Sequence, residues 1–328
     1  MVILEDFGEI GFNVTESPEI QTHTEEVLNA VSHLLGLILC IPAVLFLISL
    51  AKMRGSKWHV LSCTIYGFSL ITMYFCSTAY HAGGIEMFDL SEKHKEFLKN
   101  LDHCAIYMLI AGTQTPLMMI NLIYNNLPTN NKVEKLSKGA SPKVVKVGWS
   151  LFGVVWSMCF LGVFCKLTMG ADGIPPFISN GFYLLMGWIS VFGMKDLIRH
   201  IPKKGMKLLV TGGVTYTGGI GFLVWETQPF NHAVWHLFVS AGTLLHYFCI
   251  LESTMVSKPL HPHGSREDTE SIIPSHASVI IDNLEYAEKQ IVLAFFGSGK
   301  RKSFIVKYMN MLYSVFLDWG HISKSKVK

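Results

Sequence analysis

Long apolar stretches, each close to twenty residues, dominate this chain of 328 residues. A bilayer core is about 30 Å thick, so a helix needs roughly 20 apolar residues to cross it. Only 16% of the residues are charged, against about 25% in an ordinary soluble domain. The pattern predicts an all-α membrane protein with seven spans, at about 28–51, 59–80, 103–124, 147–167, 175–194, 206–225 and 232–252.

The spans divide the chain into three parts. An acidic N-terminal segment, 1–27, precedes a membrane domain, 28–252, and a C-terminal tail, 253–328, follows it. The first part of the tail is polar, which predicts disorder. Its later part alternates apolar and charged residues, which is typical of an interfacial amphipathic helix. We expect the tail to engage protein partners.

The composition indicates which partners and which covalent cross-links to expect. A net charge of +3 indicates no global basic field, so we expect membrane lipid and no nucleic acid as a partner. The seven cysteines lie in or beside apolar stretches without a CxxC pair, which predicts buried thiols rather than a disulfide framework. Small residues in the sixth span predict close helix–helix approach. They are Gly212, Gly213, Gly218, Gly219 and Gly221.

The loop charges indicate an orientation. With seven spans, the N-terminus shares one face with loops 2–3, 4–5 and 6–7, which carry four basic residues including Lys166. The loops of the opposite face carry thirteen basic residues. The positive-inside rule then places that second face in the cytoplasm and the N-terminus outside.

Polar residues inside spans are costly in lipid and therefore informative. Ser77 and His81 end the second span, Asp102 opens the third, and His232 and His236 open the seventh. Counting spans places these three helix ends on one face of the membrane. Because residues four apart share a helix face, three imidazoles and a carboxylate can meet there.

Such a set suits a metal. Three neutral imidazoles are a common zinc set that leaves a fourth position for water, and zinc lowers the pKa of that water to about 7. Asp102 is then the candidate to orient the water or take its proton, and Ser77 to support it by a hydrogen bond. The alternative interpretation is a polar packing cluster, and the residue types leave both open.

The remaining histidines have simpler interpretations. His33, His59 and His200 lie near span ends, which is typical of interfacial residues. His246 suits an interhelical hydrogen-bond donor, and His103 suits a residue that caps or pairs beside Asp102.

Several motifs resemble a known group. They are STAYH at 77–81, LDHCAIY at 101–107, IAGTQTP at 110–116, LMGW at 185–188 and NHAVWHLF at 231–238. These motifs, together with Glu26, Asn29 and His33, are similar to the hemolysin III group. That group belongs with the progestin and adipoQ receptors, which include the monocyte-to-macrophage differentiation factors. The resemblance covers about residues 25–252.

The resemblance implies a seven-helix bundle unrelated to G-protein-coupled receptors. It also implies zinc bound by His81, His232 and His236, with Ser77 and Asp102 completing the site. The adiponectin receptors have a cytosolic N-terminus and a zinc site toward the cytosolic leaflet, opposite to the orientation that the loop charges predict. The sequence leaves the orientation open, and with it the choice between plasma membrane and endomembrane.

Three functions remain open at this point. The wider superfamily includes amide-cleaving membrane hydrolases such as ceramidases, which implies a zinc-dependent hydrolase of a ceramide-like lipid amide. A receptor or signalling protein with a structural zinc is the second candidate, and a pore-forming cytolysin is the third. Whether the chain is an enzyme is therefore undecided from sequence.

Overall fold

The computed structural model describes residues 21–85, 90–128, 141–225 and 227–256. Within these ranges the chain forms seven helical segments, one for each predicted span. Residues 1–20 of the acidic segment, and the predicted amphipathic helix of the tail, lie outside the described residues. The seven helices are α1 (His23–Arg54), α2 (Lys57–Gly84), α3 (Glu92–Asn126), α4 (Pro142–Met169), α5 (Pro176–His200), α6 (Lys203–Leu223) and α7 (Asn231–Thr254).

Large apolar side chains cover the outside of the bundle. Phe177 is 76% exposed and Phe192 is 81% exposed, a distribution that lipid tolerates and water does not. Six of the described helices, all but α6, are long and apolar enough to cross a bilayer. Helix α6 has 21 residues, about 31 Å at 1.5 Å per residue. The chain is therefore an all-α, multi-pass membrane protein, as predicted.

The packing order brings four helix ends to one face. Helix α2 packs along both α1 and α3, and α7 packs along α6 and also contacts α1. Because neighbouring spans run antiparallel, the end of α2 lies beside the starts of α1, α3 and α7. The seven cysteines are free and six of them are buried, which confirms their predicted role as apolar side chains.

Two helices begin earlier than the apolar pattern predicts. Helix α1 starts at His23 rather than at 28, because Thr22 and Glu25 form a capping box that satisfies its first amides. Helix α3 starts at Glu92 rather than at 103, with an acidic first turn that the helix dipole favours. Asp102 therefore lies well inside α3 and does not open it.

Counting Lys166 among the loop charges is wrong. This residue lies near the end of α4 and is 1% exposed. Its Nζ donates to the carbonyl oxygen of Ala171 at 2.8 Å and to Oγ of Ser179 at 2.9 Å. The two acceptors offset part of the cost of burying the ammonium group. They also tie the end of α4 to the start of α5.

Some of the small residues of α6 make the close approach that the sequence predicts. A Cβ added to Gly219 would lie 2.6 Å from Cβ of Phe238 and 2.8 Å from a ring carbon of Trp235, both on α7. Gly212 likewise faces the ring of His246, whereas a Cβ on Gly221 would have nothing within 4 Å. Gly212 and Gly219 are therefore required by the packing against α7, whereas Gly221 is not.

We expect Gly219→Ala to destabilise the bundle by about 1–3 kcal/mol, because the added methyl group overpacks the contact between α6 and α7. Gly221→Ala is the matched control. It should leave stability unchanged or raise it by up to about 1 kcal/mol, since alanine restricts the unfolded chain. Thermal unfolding of both variants in detergent measures the difference, and equal midpoints would contradict this packing.

Candidate metal centre

The three histidines predicted as ligands do meet. His81 lies in the last turn of α2, and His232 and His236 lie in the first two turns of α7. One ring nitrogen from each lies within 4.8 Å of the other two. The ring centroids are 4.9 Å apart for His81 and either partner, and 4.7 Å apart for His232 and His236. The group could therefore hold a metal ion.

Helix α1 orients two of these rings. Nδ1 of His81 lies 2.7 Å from Oε2 of Glu26. Nδ1 of His236 lies 3.2 Å from the carbonyl oxygen of Asn29 and 3.1 Å from Oγ of Ser32. The Ser32 hydroxyl itself donates to the Asn29 carbonyl, so its oxygen accepts. Both Nδ1 atoms therefore face acceptors and carry the proton.

This protonation pattern leaves the other ring nitrogens ready to bind an ion. A metal-ligating histidine usually donates its second N–H to a carboxylate or a carbonyl, which sets the tautomer. In the described part of the chain, Nε2 of His81 is buried without a hydrogen-bond partner. An imidazole nitrogen with a lone pair and no protein partner is what a metal ligand requires, so the donor set fits a metal ion.

The interpretation of His33 as an interfacial residue is wrong. It is 3% exposed, and its ring stacks on that of His236 with centroids 3.6 Å apart and planes 10° apart. Its Nδ1 lies 2.7 Å from Oγ of Ser77. Glu26, Asn29 and His33 follow one face of α1 at helical spacing, a signal that a helical projection of the polar residues would have found.

Ser77 links His33 to Asp102. The Ser77 hydroxyl, which contacts His33, also lies near the Asp102 carboxyl group. Asp102 is 8% exposed although it is an ionisable side chain. The serine and the aspartate predicted for the site thus lie together, one on α2 and one on α3, beside the histidine cluster.

A cavity of about 170 Å³ adjoins the cluster. Apolar side chains such as Ile106, Leu109 and Val239 form much of its lining, and polar side chains such as Gln114, Asn180 and Thr217 are also part of it. The cavity extends past Tyr183 and Gly213 to His246. The polar residues at its histidine end are His33, Ser77, Asp102, His232 and His236.

The other histidines bond to backbone or side-chain groups within their own helix or on a neighbouring one. Nε2 of His246 lies 3.1 Å from the carbonyl oxygen of Leu209, which confirms an interhelical hydrogen bond. His103 bonds the carbonyl of Lys99 within α3, although it also lines the cavity. At the ends of their helices, His59 contacts Ser56 and His200 contacts the carbonyl of Asp196.

Comparison with known proteins places the chain among related membrane proteins. A family model described as Haemolysin-III related matches residues 21–247, which include all the residues discussed for the site. The Hemolysin-3 homolog of Bacillus subtilis (strain 168) is 35% identical over 230 residues, covering 70% of this chain and 94% of that protein. Hemolysin-3 of Bacillus cereus is 35% identical over 227 residues, covering 69% and 90%.

A human relative is more distant. The Monocyte to macrophage differentiation factor of Homo sapiens is 24% identical over 234 residues, covering 69% of this chain and 83% of that protein. The similarity thus extends over the helical bundle in both bacterial and mammalian proteins.

The hydrogen bond to Glu26 generates a test. We expect Glu26→Ala to weaken metal binding about 10- to 100-fold, the usual effect of removing the partner that orients a ligating histidine. The matched control is Glu92→Ala, which removes an exposed carboxylate paired with Lys95 on α3. Competition between the purified protein and a chelator for Zn²⁺ measures both affinities. Unchanged binding by Glu26→Ala would exclude an orienting role for this carboxylate.

Proposed function

We propose that this chain, which belongs to the haemolysin-III related family of integral membrane proteins, is a zinc-dependent hydrolase that cleaves an amide bond of a membrane lipid. One observation carries the proposal. Three histidine nitrogens within 4.8 Å of one another adjoin a largely apolar cavity that also contains a buried carboxyl group at Asp102.

Zinc is the metal that this donor set suits. Three neutral imidazoles with one open position are typical of catalytic zinc, and thiolate or carboxylate ligands are not needed. His81, His232 and His236 would hold the ion. When bound, zinc would supply a Lewis acid for the substrate carbonyl and a water of lowered pKa.

Besides the ligands, we assign roles in the reaction to Asp102 and Ser77. Water adds its oxygen to the carbonyl carbon, the C–N bond breaks, and the amine leaves with a proton. Asp102 would take a proton from the attacking water and return it to the leaving nitrogen. The Ser77 hydroxyl lies 2.7 Å from Nδ1 of His33 and near the Asp102 carboxyl group, and it would help to hold the carboxyl group in the cavity.

The cavity supports a lipid as the substrate. Its walls away from the histidines are mainly apolar side chains from the transmembrane helices, so they suit an acyl chain rather than a hydrated solute. The site lies near the face at which α1 begins, where a lipid headgroup and its first linkage are found. The amide linkage and the ceramide-like class follow from the resemblance to ceramidases.

We expect purified protein in detergent to release fatty acid from ceramide in a zinc-dependent manner. His232→Ala should lose both bound zinc and turnover, because it removes a ligand. His200→Ala removes a histidine at the end of α5 whose Nδ1 lies 2.7 Å from the carbonyl oxygen of Asp196, and it should retain both. Turnover by His232→Ala at the wild-type rate would exclude the mechanism.

A second variant tests proton transfer independently of metal binding. Asp102→Asn preserves the shape of the side chain but cannot accept a proton as a carboxylate does. We expect it to bind zinc normally and to lose activity by about 100-fold or more, the lower end of what general acid–base catalysis contributes. Zinc content and turnover are measured on the same preparation, and full activity in this variant would contradict the role given to Asp102.

A structural zinc in a receptor or signalling protein is the alternative. One observation favours it, since the three ligands come from two helices, α2 and α7, which a shared ion would cross-link. In that case the zinc-loaded protein would cleave no lipid amide, and His81→Ala would unfold at a much lower temperature than the wild type. Conductance in planar bilayers would instead favour the cytolysin.

A further inference from the structure

The start of α7 has an unusual backbone conformation. Phe230, the residue before the helix, has a φ of 61°, the only positive φ among the described residues that are not glycine. A bulky side chain seldom adopts this left-handed region, and it persists there only where the surroundings hold it. Two residues later comes His232, and the same helix carries His236.

A side chain from α1 holds this conformation. The backbone N–H of Phe230 donates to Oε1 of Glu25 at 2.9 Å, although the two residues are 205 positions apart. The other carboxylate oxygen, Oε2, accepts from the backbone N–H and the hydroxyl of Thr22, each at 2.8 Å. One carboxylate therefore joins the N-terminal cap of α1 to the turn that begins α7.

The next residue completes the start of α7. The side-chain oxygen of Asn231 accepts from the backbone N–H of His232 at 2.7 Å, and its amide nitrogen donates to the carbonyl of Leu223 at 3.2 Å. The first turn of α7 is thus held against α6 through Asn231 and against α1 through Glu25. A shift of this turn would move His232 and His236 together.

We propose that Glu25 is a positioning residue that sets the start of α7 and thereby places His232 and His236 opposite His81. The inference rests on the proposed metal centre. Glu25 and Glu26 are consecutive, so a single turn of α1 contacts both helices that carry ligands. Glu26 orients His81 on α2, and Glu25 positions the two histidines on α7.

A carboxylate is required because both of its oxygens accept. In Glu25→Gln the size is retained, but one acceptor becomes an NH₂ group, which can only donate. Thr22 supplies two donors to the carboxylate and Phe230 supplies one. We therefore expect the amide oxygen to stay on the Thr22 side, so that the NH₂ group faces the N–H of Phe230 and this bond is lost. Thr22→Ala is the matched control, since it removes only the hydroxyl on the capping side and leaves the bond from Phe230 to Glu25 intact.

The test compares Zn²⁺ affinity, by competition with a chelator, among the wild type, Thr22→Ala, Glu25→Gln and the double variant Glu25→Gln/Phe230→Gly. We expect Glu25→Gln to bind about tenfold more weakly, as when other supporting partners of metal ligands are removed, and Thr22→Ala to bind nearly as the wild type does. The double variant should recover most of the loss, because glycine adopts a positive φ without a partner to hold it.

Hydrogen exchange of the chelator-treated protein provides a readout that needs no metal. Backbone amides over 229–236 should exchange faster in Glu25→Gln than in Thr22→Ala. Wild-type protein that binds no zinc would refute the proposed function, while faster exchange confined to Glu25→Gln would still support its role at the start of α7. Wild-type affinity and exchange in Glu25→Gln, or an equal loss in Thr22→Ala, would overturn the inference.

Discussion

Hydrocarbon cannot form hydrogen bonds, and this constraint explains both the helices and the histidine cluster. A helix satisfies its own backbone, so it is the form in which this chain crosses lipid. The polar side chains of His81, Asp102 and His236 are not satisfied by the hydrogen bonds of their own helix backbone, so each needs a partner on another helix. The structure brings them together, and their partners lie on α1 and α2.

Helix α1 contributes more to the centre than its position at the start of the chain suggests. None of the three predicted ligands belongs to it, yet its first three turns contact the ligand-bearing helices at several points. Carboxylate and carbonyl acceptors on α1 face Nδ1 of His81 and Nδ1 of His236. Because each acceptor requires a protonated Nδ1, this helix determines which nitrogen is left to bind an ion. The orientation of the rings therefore depends on a helix that supplies no ligand.

The meeting of the candidate ligands could be predicted because their signals are local. His232 and His236 are four apart, as are Ser77 and His81, and helical periodicity places each pair on one face. The number of spans between them then predicts that both pairs lie on the same side of the membrane. The supporting residues gave weaker signals. His33 resembles any histidine near a span end, and Glu26 lay before the apolar stretch, in a turn that hydropathy alone assigns to the acidic N-terminal segment.

By itself, the sequence determined that the chain is a multi-pass helical membrane bundle and which residues are candidates to meet, because hydropathy and periodicity act over one or two dozen neighbouring residues. Only the tertiary structure decided how the candidates are oriented. Glu26 and His81 are 55 positions apart, and Asn29 and His236 are 207 apart. No local pattern encodes such pairs, since they depend on how α1 packs against α2 and α7.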